Sequence, residues 1–159
     1  MIRVCFVCLG NICRSPTAEG VFTHLVAEAG LGSAFEVESA GTADYHVGER
    51  PDRRSIATAH THGVVLPSRA RQFQRADFAR FELVLAMDTN NRADLLRLAA
   101  DQSERDKVLL LRDFEPDAGP EAAVPDPYYG GQAGFEEVFA ICQRACAGLL
   151  AHFKTKHGL

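Results

Sequence analysis

Four short apolar runs alternate with segments whose apolar residues recur at helical spacing, and this alternation constrains the fold more than any other feature. Ile2 to Val7, Phe35 to Ser39, Leu83 to Ala86 and Val108 to Leu111 read as buried strands. After the first strand, Val21, Phe22, Leu25, Val26 and Ala29 form a helical stripe that Gly30 is suited to end. Ser15 suits the cap of that helix and Pro16 its first turn. Further helices are expected from Arg53 to His62 and from Asn91 to Ala100. A last one over 134–155 carries Phe135, Val138, Phe139, Cys142, Ala145, Cys146, Leu149, Leu150 and Phe153 on one face. Strands joined through helices run parallel, and a parallel sheet needs cover on both faces. The expected fold is therefore α/β: a three-layer sandwich, a four-stranded parallel sheet with helices on both faces. A chain of 159 residues with no repeat and no long linker suits one domain over 1–159.

Composition narrows the function classes. The net charge is −4, and no basic stripe runs along a helix, so nucleic acid is not an expected partner. No apolar run approaches the roughly 20 residues of a membrane helix. The N-terminal apolar stretch runs straight into Gly10-Asn11 without a cleavage pattern, so the cytoplasm is the expected compartment. The chain has 5 cysteines, an odd number in a protein large enough to fold unstapled, which suggests thiols available for chemistry.

The chemistry is expected at Cys8 to Ser15, because ligands of open parallel sheets bind outside the carboxyl ends of the strands. Five residues separate Cys8 from Arg14, with Gly10 and Asn11 in the turn, both tolerant of positive φ. Such a loop can aim successive backbone amides at one point, at the start of a helix whose dipole also favours negative charge. Arg14 adds a planar fork matched to two phosphate oxygens. The groups that hold a dianion also stabilise a thiolate at Cys8. One site then holds a phosphoryl group and a nucleophile, the requirement for transfer through a phosphocysteine. A packed core thiol at Cys8 and a solvated Arg14 are the bland alternative, against which the strand before the loop and the Ser-Pro and helix after it argue.

Val7-Cys8-Leu9-Gly10-Asn11-Ile12-Cys13-Arg14-Ser15-Pro16 resembles the signature of the low-molecular-weight protein tyrosine phosphatases, and Asp126-Pro127-Tyr128-Tyr129-Gly130 resembles that family's general-acid loop. Ser39-Ala-Gly-Thr42, Ala70-Arg71-Gln72 and Met87-Asp88 are also family-like in order and spacing. The resemblance covers essentially the whole chain. It implies Cys8 as nucleophile, Arg14 and the amides of Leu9, Gly10, Asn11, Ile12 and Cys13 as phosphate ligands, Asp126 as general acid and base, and Ser15 as hydrogen-bond partner of the Cys8 sulfur. Ser39 would support Asn11. Cys13 would capture an oxidised Cys8 as a reversible disulfide. Tyr45, Tyr128 and Tyr129 would wall a slot fitted to a phenyl ring, with His46 and Glu49 on the rim. No cofactor and no metal are implied. The expected partners are a tyrosine-phosphorylated protein and a phosphate ion or oxyanion analogue in the loop, with the chain a monomer or weak dimer.

Competing readings remain at this point. Phosphoarginine phosphatases resemble the same fold but carry threonine where this chain has Ile12. Thioredoxin-coupled arsenate reductases need a mid-chain cysteine pair, and here no cysteine lies between Cys13 and Cys142. A phosphate-binding module without turnover would lack Cys8 or Asp126. Cys5, Cys8 and Cys13 offer no good zinc set, since the strand separates Cys5 from Cys8. His60 and His62 carry no ligand spacing. Ser68 stands where some family members place a histidine supporting the loop. Residues 50–80 hold Arg50, Arg53, Arg54, Arg69, Arg71, Arg75 and Arg80 against Asp52 and Asp77, either a solvated face or a steering surface for acidic phosphopeptides or phosphate-rich polymers.

Overall fold

A computed structural model describes residues 1–159. Strands β1 (Ile2–Cys8), β2 (Phe35–Gly41), β3 (Leu83–Ala86) and β4 (Val108–Leu110) form one sheet in the order β2-β1-β3-β4, with every pairing parallel. Helices α1 (Arg14–Glu28), α2 (Arg53–Thr61), α3 (Thr89–Leu98), α4 (Gln102–Arg105) and α5 (Gln132–His157) complete the chain. Side chains alternate across the sheet with period two. Val4, Phe6 and Cys8 of β1, with Leu83, Leu85 and Met87, enter the core beneath α1 and α5. Cys5 and Val7, with Val84 and Ala86, enter the opposite core of Phe73, Phe78, Phe81 and Leu95. Both faces are covered, as the α/β sandwich requires.

Aromatic packing ties the larger core together. The Phe22 ring of α1 lies 5.8 Å from Phe6 and 5.4 Å from Phe35, and Phe153 of α5 closes the cluster 5.5 Å from Phe35. Gly30 (φ 73°) ends α1 as expected: its amide and that of Leu31 reach back to the carbonyls of Ala27 and Val26. The start of α1 differs from expectation. The helix begins at Arg14 with Cys13 at the cap, and Ser15 caps nothing because its hydroxyl is drawn into the protein. β2 runs on to Gly41, where a bridge to Gln72 extends the pairing. α3 starts at Thr89 because the Asp88 carboxylate accepts from the Asn91 amide, and α5 is longer at both ends than its apolar stripe.

The sheet order reverses at β1, which has β2 on one side and β3 on the other. Connections leave such a switch point toward opposite faces and open a crevice above the strand ends. The loop after β1 occupies that crevice. Between Leu111 and Gly131 the chain is pinned rather than free: Val124 is fully buried and its amide donates to the carbonyl of Met87, just past β3. That anchor sets Asp126 over the same crevice.

Candidate active site

Residues 9–15 form a tight turn at the head of α1. Of their backbone amides only that of Asn11 has an acceptor within the chain, and that acceptor is the Cys8 sulfur at 3.3 Å. Six amide groups around one thiol are thus left free to bind an anion, the arrangement of a backbone nest. Asn11 rather than Gly10 takes the left-handed conformation (φ 58°) that makes this turn. Gly10 answers to space instead: a Cβ there would come within 3.1 Å of the His46 ring.

A chain of side-chain hydrogen bonds holds the turn from behind. The Asn11 amide donates to the Ser15 hydroxyl (2.8 Å) and to the Ser39 hydroxyl (3.0 Å), while its carbonyl oxygen accepts from the Arg71 amide (3.0 Å). The Ser39 hydroxyl in turn donates a hydrogen bond to Glu19 Oε1. Because Ser15 accepts from Asn11, its hydroxyl hydrogen can turn to the Cys8 sulfur 3.0 Å away, with the Ala40 carbonyl a more distant acceptor at 3.5 Å. Burial raises the Glu19 pKa above the usual carboxylate value, against the opposing hydrogen bonds of Ser39 and Ser68. Ser68 therefore faces Glu19.

Arg14 is nearly fully buried and held on two sides. Its Nη1 donates to Asp88 Oδ2 at 2.6 Å and to the Val124 carbonyl at 3.1 Å. Burial works against the guanidinium charge, but Cys8, Asp88 and Asp126 outweigh it and hold the Arg14 pKa above its ordinary value. Asp126 lies across the opening, with Oδ2 3.8 Å from Arg14 Nη2, and its Oδ1 accepts from the Tyr128 amide at 3.0 Å. A cavity of about 370 Å³ joins these groups: Cys8, Arg14 and Asp126 line it with Leu9, Gly10, Ile12, Cys13, Tyr45, His46, Tyr128 and Tyr129. Asn11 and Ser15 support it from below. Arg54 steadies the wall, donating to the Tyr128 carbonyl and lying 5.7 Å from the Tyr128 ring centre. Tyr129, 94% exposed, stands edge-on to Tyr128.

Three members of this site had no assigned role in the sequence reading: Asp88, Val124 and Glu19. Asp88 was visible only as part of a family-like pair, and Val124 only as an apolar residue in a polar loop. Asp88 has two tasks, and they can be separated. Asn is as good an N-cap as Asp, so Asp88→Asn keeps the α3 cap while removing the charge that holds Arg14. Asp88→Asn is expected to lower kcat/KM by roughly tenfold, the size of losing one charged hydrogen bond, with little change in Tm. Unchanged kcat/KM, or an equal loss of stability, would mean that Asp88 serves the helix alone.

Burial is the dominant influence on the other four thiols. Cys13 is pushed up to about 12, first by burial and then by Asp52, against a hydrogen bond from Ser55. Cys142 is likewise raised to about 12 by burial and then by Cys8, and burial pushes Cys5 and Cys146 well up. At pH 7 iodoacetamide is therefore expected to give one adduct, at Cys8, slowed by inorganic phosphate. Comparable labelling of Cys13 in the mass spectrum would contradict this. Cys142 and Cys146 lie fully inside the core beneath α5, remote from any surface on which a disulfide relay could act. Cys5 and Cys8 project into opposite cores, so the sheet itself keeps them from a shared metal.

Known proteins resemble this chain in sequence and in fold. The model of the family described as low molecular weight phosphotyrosine protein phosphatase matches residues 3–158. A low molecular weight protein-tyrosine-phosphatase of Streptomyces coelicolor is 51% identical over 150 residues, covering 94% of this chain and 92% of its own. A protein tyrosine phosphatase structure from Entamoeba histolytica superposes with TM-score 0.92 at 36% identity, over 99% of each chain. An arginine phosphatase from Drosophila also superposes, with TM-score 0.89 at 32% identity over 96% of this chain and 98% of its own. With a family model spanning nearly every residue and relatives matched over almost their full length, the chain belongs to the low-molecular-weight phosphotyrosine protein phosphatase family.

Proposed function

We propose that this chain hydrolyses phosphotyrosine in proteins through a phosphocysteine, without a metal. The observation that carries this reading is the ring of free amides around Cys8, closed by a locked Arg14 and faced by Asp126 in one cavity. The amides of residues 9–15 and the Arg14 fork bind the three equatorial oxygens, where charge gathers in a loose transition state. The Cys8 thiolate attacks phosphorus in line as the P–O bond to the phenol breaks, and Asp126 gives its proton to the departing oxygen. Asp126 then takes a proton from the water that attacks phosphorus. The S–P bond breaks, inorganic phosphate leaves, and the Ser15 hydroxyl stabilises the returning thiolate.

Tyr45, Tyr128 and Tyr129 border the cavity and suit a flat ring, the basis for an aryl over an alkyl phosphate. The Drosophila neighbour is an arginine phosphatase, so the fold alone does not choose the leaving group. Ile12 favours phosphotyrosine, since it lines the cavity with an apolar side chain where phosphoarginine phosphatases carry a hydroxyl. No helix is long and apolar enough to cross a membrane. A mechanism that depends on a reduced thiol suits the cytoplasm.

The test is product partition. In excess EDTA, p-nitrophenyl phosphate and phenyl phosphate should both be hydrolysed, and added methanol should capture the same share of phosphate from each. A common ratio reports a common phosphoenzyme. Ratios that differ between the two substrates, or turnover only with added divalent metal, would sink the proposal.

A further inference from the structure

The arginines of residues 50–80 divide into two sets in the structure. Arg71 and Arg80 pair with Glu38 and Asp77, Arg75 lies 3.9 Å from Glu104, and Arg54 pairs with Asp52. These hold the chain to itself. Arg50, Arg53 and Arg69 are exposed and have no carboxylate partner. Their positions are not scattered. A hollow of about 700 Å³ shares Ile12, His46 and Tyr128 with the active-site cavity and is bordered on its far side by Arg50 and Arg53. Arg50 also borders the next hollow, about 370 Å³, together with His60 and Arg69.

The backbone under this strip is fixed. Asp52 donates its amide to the Ile12 carbonyl, which ties the strip to the phosphate loop itself. The Gly48 amide donates to the Ala70 carbonyl, the Ala70 amide donates to the Glu49 carbonyl, and Arg69 Nη1 donates to the Gly48 carbonyl. The cations are thus carried on a pre-formed edge that begins at the mouth of the site.

We propose that Arg50, Arg53 and Arg69 form a docking strip for acidic side chains flanking the phosphotyrosine of a protein substrate. The proposal rests on the phosphatase reading above, because the strip is continuous with that cavity and a flank is covalently continuous with the phosphorylated ring. Glu49 precedes Arg50 and Asp52 lies between Arg50 and Arg53 along the chain, and the two carboxylates are already matched to His46 and Arg54. That alternation suits carboxylates spaced along a peptide and repels an unbroken polyanion. Exposed charges of this kind act on encounter and on KM rather than on the chemical step.

Two phosphotyrosine peptides differing only in Glu against Gln at the flanking positions test this, with p-nitrophenyl phosphate as the substrate that has no flank. In Arg50→Gln/Arg53→Gln, kcat/KM for the Glu peptide is expected to fall roughly 3- to 10-fold through KM, the worth of two exposed ion pairs. The Gln peptide and p-nitrophenyl phosphate should change by less than about twofold, and added salt should erase the wild-type preference for Glu. Arg69 is left in place because it holds backbone. A variant lowering the charge equally elsewhere, Arg105→Gln/Lys154→Gln, should keep the preference. Loss of the preference in that control, equal loss for both peptides, or no wild-type preference would overturn the strip. Polyphosphate inhibition relieved by the Arg50/Arg53 variant, without a Glu preference, would also overturn it, in favour of a polyanion site. Wild type inert toward p-nitrophenyl phosphate and both peptides would instead remove the phosphatase reading.

Discussion

Cys8→Ser is expected to lose turnover by a factor on the order of 10⁴ or more while still binding inorganic phosphate. The magnitude follows from removing a nucleophile whose partners cannot act without it, since groups that work as a unit fail together. A serine hydroxyl at this position keeps its proton at neutral pH, and the site offers no base close enough to take it: Ser15 and Asn11 are its only hydrogen-bonding neighbours. Phosphate binding responds the other way. The free amides of residues 9–15 and Arg14 remain, and a neutral hydroxyl replaces the sulfur that the proposed mechanism requires as a thiolate. Affinity for phosphate, measured by titration calorimetry, should therefore hold or tighten. The two readouts matter together because Cys8 is itself part of the larger core, only 3% exposed. Parallel loss of turnover and phosphate binding would mean that Cys8 shapes the loop by packing. Retained turnover would end its candidacy as nucleophile.

The turn between β1 and α1 was legible in the sequence because its logic is local. Strand, turn and helix follow one another within a few residues, and the nest needs only the backbone between Cys8 and Ser15. Ser15 shows where local reasoning misleads. Serine before proline reads as a helix cap, yet the fold uses this hydroxyl inward, 3.0 Å from the Cys8 sulfur, and α1 starts without a side-chain cap. What holds Arg14 was out of reach for a different reason. Asp88 and the Val124 carbonyl lie 74 and 110 residues beyond Arg14 in the chain, and only the order of β1 and β3 in the sheet brings them to it. Glu19 sits one turn beyond the motif on α1 and reaches Ser39 only because β2 pairs with β1. The arginine excess was visible as a count, but its division into paired and free side chains depended on where Glu38, Asp77 and Glu104 fall in space. Residue types thus marked the candidate site, and the sheet order supplied the contacts that hold it together.

Asp126 is the residue for which the bland and functional readings stay closest, and the choice of variant separates them. An Asp-Pro pair commonly serves a turn, and here Oδ1 does accept from the Tyr128 amide at 3.0 Å. The other oxygen lies 3.8 Å from Arg14 across the cavity mouth, where the leaving oxygen of an in-line displacement at Cys8 must depart. Asp126→Ala is expected to lower kcat/KM for phenyl phosphate, which reports the step that expels the phenol, by roughly 10²- to 10⁴-fold, the usual worth of a positioned proton donor. The loss for p-nitrophenyl phosphate should be smaller, because nitrophenolate leaves readily without a proton. Rates across a series of phenols should accordingly depend more steeply on leaving-group basicity in the variant. Asp126→Asn decides the matter: its carbonyl oxygen can keep the bond from Tyr128 but it holds no proton to give. If Asp126→Asn is as slow as Asp126→Ala toward phenyl phosphate, the carboxyl acts on the substrate. If it restores the rate, the turn was the whole role, and another group must protonate the phenol.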